Sequence, residues 1–162
     1  IDTKTRQVVY VLVSRETDHI AEMAMVSSTA LRMLSPQLTR TIVTDRLSLA
    51  ALTGHRARLL DLVDDVIVAD VFDENPMARS RRIKTTLRER IAGDFLYVDV
   101  DAVPIKPLEP VFELDAEFAA ALDGNMASEK FVFLDFERET FIKMGWPLPT
   151  RPYFNSGVVL VR

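Results

Sequence analysis

Asp99 and Asp101 are the two residues of this sequence whose type and spacing are best suited to chemistry. They follow the apolar run Phe95–Val98, and residues two apart on a strand project from the same face of a sheet. Two carboxylates about 6 Å apart repel each other by about 3 kcal/mol at an effective dielectric constant of about 20. A positive group is therefore expected between them, and a divalent cation that also binds phosphate groups suits a pair of carboxylates.

The position of this Asp-x-Asp pair in the chain is more informative than the Asp-x-Asp pattern itself. A chain this rich in aspartate contains about one such pair by chance. In open α/β sheets, however, ligands bind at the carboxyl ends of strands, which is where the pair falls. The alternative interpretation, a solvated strand end whose carboxylates cap the following turn, stays open on these grounds.

Segments typical of strands and helices alternate through the first hundred residues. The predicted strands are Gln7–Val13, Thr39–Thr44, Val66–Val68, Phe95–Val98, Glu117–Leu122 and Tyr153–Val161. The predicted helices are His19–Leu34 with Asp18 as its N-cap, Leu47–Thr53 ending at Gly54, Pro76–Ala92 ending at Gly93, and Glu137–Met144. This order predicts an α/β fold, with a mostly parallel central sheet flanked by helices, and a single domain over residues 1–162.

Composition and charge limit the classes of protein to which this chain can belong. The formal net charge is -4 and no long basic segment stands out, so nucleic-acid binding is not expected. The lack of cysteine excludes a disulfide scaffold, a zinc–thiolate site and a cysteine nucleophile. With no transmembrane-length run and no visible signal peptide, we expect a cytoplasmic protein, with peripheral membrane contact left open. Because the chain starts at Ile1 and ends directly after a strand-like run, we expect a piece of a longer protein.

Three stretches of the sequence resemble one family. FLYVDVDAVPIKPLEPVF resembles the Asp-x-Asp segment of nucleotide-sugar glycosyltransferases with the GT-A fold, above all glycosyltransferase family 8, the group of glycogenin and bacterial lipopolysaccharide galactosyltransferases. RSRRIKTTLRERIAGDFLYVD resembles the family's helix before that segment, and YFNSGVVLV resembles its Phe-Asn-Ala/Ser-Gly strand. Their order and rough spacing agree, so the resemblance covers nearly the whole chain. It implies the Rossmann-like GT-A fold.

The resemblance also implies an activity. A hexose would pass from a nucleotide-diphosphate sugar, expected to be a UDP-sugar, to a hydroxyl acceptor such as a carbohydrate, in glycan or polysaccharide synthesis. Asp101 would coordinate Mn²⁺ or Mg²⁺, and Asp99 would share the metal and approach the ribose. The metal would bridge the two phosphates and stabilise the leaving diphosphate as a Lewis acid.

Further roles follow from the same resemblance. Contacts to the nucleotide sugar would come from the loop after the first strand, from the end of the second strand and from the helix before the Asp-x-Asp pair: Ser14, Glu16, Asp18, Asp45 and Lys84. Asp123 and Asn155 would be the catalytic residues, Asp123 by binding sugar hydroxyls and Asn155 by lying near the donor sugar. Arg79 and Arg81, on the same helix as Lys84, are expected on a solvated face.

The sequence departs from the family pattern at the metal site, which keeps other functions open. Family members usually supply a third ligand from a C-terminal histidine, whereas His19 and His55 both lie upstream of the aspartates. One alternative is a non-catalytic nucleotide-binding module of a larger protein. Another is a phosphatase of the haloacid dehalogenase type, with Asp99 as nucleophile and Asp101 as general acid/base. A nucleotidyltransferase is disfavoured, because the loop after the first strand has no glycine.

Overall fold

The computed structural model of the protein describes residues 6–122, 135–147 and 154–162. Within them the strands are Arg6–Leu12 (β1), Thr39–Asp45 (β2), Asp65–Ala69 (β3), Asp94–Val98 (β4), Phe118–Leu122 (β5) and Phe154–Val161 (β6). The helices are Ile20–Leu34 (α1), Arg46–Ala50 (α2), Pro76–Thr85 (α3), Leu87–Arg90 (α4) and Asp135–Lys143 (α5). Two 3₁₀ helices cover Gly54–Asp61 and Glu109–Glu113.

The strands form one sheet in the order β3-β2-β1-β4-β6-β5. β1 pairs in parallel with β2 and β4, β2 pairs in parallel with β3, and β6 runs antiparallel to β4. The parallel pairs require crossover connections, and the segments α1, α2 and α3 provide them. The predicted mostly parallel α/β sheet is therefore confirmed.

Strand β1 is buried on both faces, which explains its nearly continuous apolar sequence. Val8, Tyr10 and Leu12 belong to a hydrophobic cluster that also contains residues of α1. Val9 and Val11, which alternate with them, belong to a second cluster that contains residues of α3 and α4. Because neighbouring residues of a strand point to opposite faces, the sheet is covered by helices on both sides.

Two predicted helices differ from the structure by more than two residues at one end. The segment predicted as one helix over Pro76–Ala92 breaks at Thr86 into α3 and α4. The hydroxyl of Thr86 donates to the carbonyl of Arg82 at 2.8 Å, and its amide closes a tighter turn onto Ile83. Such side-chain bonds compete with the helical ladder. Gly54 does not end α2, which stops at Ala50; with a φ of 57° it opens the following 3₁₀ helix.

The chain divides into two compact units. One comprises Ile1–Ala119 with Gly157–Arg162, and the other comprises Ala120–Ser156. The single domain inferred from the sequence stays a prediction. No helix among the described residues is long and apolar enough to cross a membrane.

Candidate functional site

The Asp-x-Asp pair lies just beyond the carboxyl end of β4. The strand ends at Val98, and the carbonyl of Asp99 accepts from the amide of Ala102 at 2.9 Å, which closes a turn. The amide of Asp99 donates to the carbonyl of Gly157 at 2.7 Å. The prediction placed Asp99 and Asp101 on one face of a strand. This placement was wrong, because the pair lies in the turn that follows the strand.

Asp99 is held by two donors on one oxygen. Lys84 Nζ lies 3.1 Å from Oδ1, and the hydroxyl of Tyr97 donates to the same atom. Lys84 Nζ also lies 4.5 Å from the centroid of the Tyr97 ring, within range of a cation–π contact. Desolvation raises the pKa of Tyr97, as do its hydrogen bond to Asp99 and the nearby negative charges of Asp99 and Asp101. Tyr97 is therefore a neutral donor, and Lys84 supplies a positive group at Asp99.

Asp101 has a different environment from Asp99. It is exposed and lies on the wall of a cavity of about 430 Å³. The other residues lining this cavity come from α1 and its N-cap position and from the segment after β4: His19, Glu22, Met23, Val26, Val100 and Val103. Asp101 therefore faces open space next to a largely apolar wall, whereas Asp99 is engaged with neighbouring side chains.

The two carboxylates suit a small divalent cation. Among the described residues no cluster of three or more histidine, aspartate or glutamate side chains could enclose a metal. Mg²⁺ and similar hard cations do not need such a cluster, because they are usually held by one or two carboxylates together with substrate phosphates and water. The donor set of Asp99 and Asp101 fits that pattern.

The loop after β1 is organised by its own side chains. Asp18 Oδ1 accepts from Ser14 Oγ at 2.8 Å and from the amide of Ile20 at 3.1 Å, and Oδ2 accepts from the amide of Arg15 at 2.7 Å. Desolvation favours a higher pKa for Asp18, but these hydrogen bonds outweigh it and lower the pKa. The side chains of Ser14 and Asp18 thus shape the loop, while Glu16 is exposed.

The start of α1 differs slightly from the prediction. The helix begins at Ile20, and His19, not Asp18, occupies the N-cap position without a capping side-chain bond. Asp18 still supplies the acceptor for a first-turn amide, as its bond to Ile20 shows. The polar character of the loop and the identity of the accepting residue were therefore predicted correctly, and the helix start was off by one residue.

Arg56 is a residue of this region that the sequence did not indicate. Its guanidinium binds the backbone carbonyls of Arg15 and Asp18 as well as the carboxylate of Glu22. Two of these acceptors are carbonyls, which every residue carries, so no side-chain pattern could have pointed to the contact. Arg56 is only 7% exposed.

Asp45 and Arg79 form a buried ion pair at the carboxyl end of β2. Asp45 Oδ1 accepts from the amide of Ser48 at 2.8 Å, which caps α2, and Oδ2 lies 2.9 Å from Arg79 Nε. The side chains are 2% and 5% exposed. The prediction of a solvated Arg79 was wrong, because a charged acceptor on the neighbouring strand draws the guanidinium inward. Arg81 is exposed, as expected.

The remaining predicted site residues lie in or beside the second unit. Asn155 is exposed on β6, two residues before Gly157 in the sequence. Asp123 lies outside the described residues. The roles assigned to both residues stay predictions.

The mostly parallel α/β sheet with this strand order is also the fold of solved GT-A glycosyltransferases. Galactosyltransferase LgtC, solved with donor and acceptor sugar analogs, superposes with a TM-score of 0.58 at 18% identity, over 96% of this chain and 57% of LgtC. The apo-form glycosyltransferase GlyE of Streptococcus pneumoniae TIGR4 gives 0.57 at 18% identity, over 98% of this chain and 34% of GlyE.

These similarities establish the fold, and the predicted GT-A architecture is confirmed. The chain spans little more than half the length of LgtC and about a third of GlyE. No protein-family model matches the sequence, and no curated protein sequence matches it.

Proposed function

We propose that the protein is a metal-dependent glycosyltransferase that moves a hexose from a UDP-sugar to a hydroxyl acceptor, such as a carbohydrate, in glycan or polysaccharide synthesis. The observation that carries this proposal is the turn after β4. It presents an exposed Asp101 beside an Asp99 that is paired with Lys84, in a fold shared with LgtC and GlyE. In α/β sheets of this kind the carboxyl ends of strands are where ligands bind.

The acidic turn suits the diphosphate of such a donor. Asp101 and Asp99 would hold Mn²⁺ or Mg²⁺, which supplies Lewis-acid stabilisation of the leaving diphosphate when bound. Tyr97 keeps the Asp99 carboxylate in one orientation through its hydroxyl. Lys84 is partly exposed, and its ammonium is a compact positive charge that can donate to a phosphate oxygen.

The nucleoside and sugar contacts are assigned to neighbouring segments. In the loop after β1, the exposed Glu16 is available to a ribose hydroxyl, while Ser14 and Asp18 act by fixing the loop around it. Asp123 and Asn155 are proposed for the donor sugar. Asp45 is not proposed as a direct contact to the nucleotide sugar, because its two carboxylate oxygens already bind Ser48 and Arg79.

The same proposal assigns the protein to the cytoplasm and is compatible with peripheral contact to a membrane. A non-catalytic nucleotide-binding module would use the same acidic turn, so binding and turnover have to be measured separately. A phosphatase with Asp99 as nucleophile is the less favoured alternative, because the fold is shared with solved glycosyltransferases. Phosphorylation of Asp99 by acetyl phosphate would instead support the phosphatase.

Titration calorimetry with UDP, with and without Mn²⁺, tests the proposal. Wild type should bind UDP more tightly with Mn²⁺, and Asp101→Asn should abolish the metal dependence. Asp65→Asn is the matched control, because Asp65 is an exposed aspartate at the amino end of β3. Equal UDP binding with and without metal would contradict the proposal, and metal-dependent binding without UDP-sugar turnover would favour the binding module.

A further inference from the structure

Buried side chains outside the loop over residues 14–18 bind its backbone. Ser48 Oγ accepts from the amide of Ser14 at 2.9 Å, and Arg56 makes the larger set of contacts. Arg56 extends from the 3₁₀ helix after α2, and its Nη1 donates to the carbonyl of Arg15 at 2.6 Å. Its Nη2 donates to the carbonyl of Asp18. Nε and Nη2 also bind the two carboxylate oxygens of Glu22, at 2.8 and 3.1 Å. One guanidinium therefore joins both ends of the loop to the first turn of α1.

This loop borders the acidic turn. β1 and β4 are parallel neighbours in the sheet, so their carboxyl ends lie at the same edge. Glu22, which Arg56 binds, lines the same cavity as Asp101. The position of the loop relative to the acidic turn consequently depends on how firmly α1 and the loop are tied together.

The bonds made by Arg56 require a guanidinium. Arginine presents several N–H donors in a fixed planar arrangement, whereas the lysine ammonium is a point charge that cannot reach two carbonyls and a carboxylate in the same geometry. Without Arg56 the carbonyl of Asp18 would lose the guanidinium donor, and the carbonyl of Arg15 would keep only the longer bonds from Ser14 Oγ at 3.3 Å and from the Asp18 amide at 3.4 Å. The internal bonds of Asp18 would remain. The loop would become looser without losing its fold.

We propose that Arg56 is a positioning residue that pre-orders the loop over residues 14–18 for the donor nucleotide. This inference rests on the proposed function for its ligand, but the ordering of the loop can be measured without any ligand. A pre-ordered loop binds more tightly because its conformational entropy is lost on folding and not again on binding. The effect belongs to nucleotide affinity rather than to the chemical step.

Arg56→Lys is the test variant and Arg40→Lys is its matched control. Arg40 is also buried, at 8% exposed, and its Nη2 binds Asp64 at 2.7 Å, but it lies at the amino end of β2. Hydrogen exchange of the Arg15 and Ile20 amides, which donate to Asp18, reports loop order. Calorimetry with UDP and Mn²⁺ reports affinity, and KM and kcat for a UDP-sugar separate binding from chemistry.

We expect Arg56→Lys to speed exchange of both amides at least tenfold and to raise the Kd for UDP and the KM about tenfold, with kcat within twofold. Arg40→Lys should change neither exchange in the loop nor the Kd by more than twofold. Unchanged loop exchange, or an unchanged Kd in Arg56→Lys, would overturn the inference. An equal rise of Kd in both variants would also overturn it, because it would indicate general destabilisation.

The test also separates this inference from the proposed function. If wild type binds no UDP, the proposed function fails, and the exchange measurement alone decides whether Arg56 orders the loop. If Arg56→Lys does not fold, Glu22→Gln replaces it, since this change weakens the hold on Arg56 while leaving its two carbonyl bonds. A Kd raised about threefold would support the inference, and a Kd equal to that of wild type would overturn it.

Discussion

The buried pair of Asp45 and Arg79 makes a large and measurable contribution that can be separated from ligand binding. We consider the variant Arg79→Met, which keeps much of the side-chain volume and removes the charge. At 2.9 Å the two charges attract by about 6 kcal/mol at an effective dielectric constant of about 20, and desolvation offsets most of this. The intact pair therefore adds little to the free energy of unfolding, but the removal of one partner lowers it strongly.

The expected cost comes from the partner that is left behind. Arg79→Met would leave the Asp45 carboxylate 2% exposed with only the Ser48 amide as donor. Removal of one member of a buried pair typically costs about 3–5 kcal/mol. The carbonyl of Asp73 would also lose its bond to Arg79 Nη1, which is 2.7 Å long. For a chain of this size the change corresponds to a fall in Tm of about 6–20 °C.

Urea unfolding of three variants checks this reasoning. Arg79→Met should lower the free energy of unfolding by about 3–5 kcal/mol. The control Arg82→Met, an exposed arginine on the same helix, should change it by less than about 0.5 kcal/mol. Adding Asp45→Asn to Arg79→Met should recover at least about 1 kcal/mol, because the unpaired carboxylate is gone while an amide oxygen can still cap α2.

Additive effects of the two substitutions would refute this account of Asp45 and Arg79. So would a destabilisation by Arg79→Met no larger than that of Arg82→Met. The Asp45→Asn variant alone adds a second test, because the ion pair assigns Asp45 a structural role. Its Kd for UDP should stay within twofold of wild type, and a tenfold rise would instead favour the nucleotide contact predicted from the sequence.

Three further predictions concern other parts of the same unit. Tyr97→Phe should weaken Mn²⁺ binding about tenfold by calorimetry, because it removes a donor that orients Asp99. Thr41→Val should not, because Thr41 lies on β2, a strand that is not a neighbour of β4, and its buried hydroxyl donates to Gln7. Desolvation favours a higher pKa for Glu22, but hydrogen bonds from its own backbone, His55 and Arg56 lower this pKa to about 2. The ionised Glu22 therefore stabilises the fold above pH 4.5, and this stabilisation is lost as the pH falls towards 2. Glu22→Gln should make the free energy of unfolding less dependent on pH in this range, and an unchanged pH profile would contradict the assignment. Gly54→Ala should lower the free energy of unfolding in urea by about 1 kcal/mol, because Gly54 has a φ of 57°, which alanine rarely adopts. The added methyl group meets no atom within 4 Å, so the cost would come from backbone strain alone. An unchanged free energy of unfolding would contradict this strain.

The parts of the fold that the sequence predicted are those encoded by local patterns. The run over residues 7–13 is apolar on both faces, and a strand buried between two helical layers has that pattern. Ile83 and Leu87 stand four residues apart in the helix predicted over Pro76–Ala92, which is the spacing of an amphipathic helix, and both residues are buried. The break between α3 and α4 was missed because the amide of Thr86 turns back onto the carbonyl of Ile83, a local tightening that helical propensity alone does not decide.

The parts of the site that the sequence did not predict depend on long-range contacts of charged residues. Arg79 and Arg56 both occur in polar stretches, where an arginine is usually solvated. Each is buried because an acceptor far away in the sequence faces it, Asp45 for the first and the carbonyls of Arg15 and Asp18 for the second. Tertiary proximity of this kind leaves no periodic signal.

The difference between the two aspartates explains how one turn could serve both structure and binding. Because Tyr97 and Lys84 donate to the same oxygen of Asp99, that oxygen keeps a donor if Lys84 turns towards a phosphate. Tyr97 is buried and cannot follow, so the carboxylate stays where the fold has placed it. Among the residues that the structure describes, none restrains Asp101 in this way, and Asp101 is exposed on the cavity wall. Under the proposed function, the pair would combine one carboxylate that is fixed before binding with one that adjusts to a cation, and Lys84 would be the charge that moves from Asp99 to the ligand.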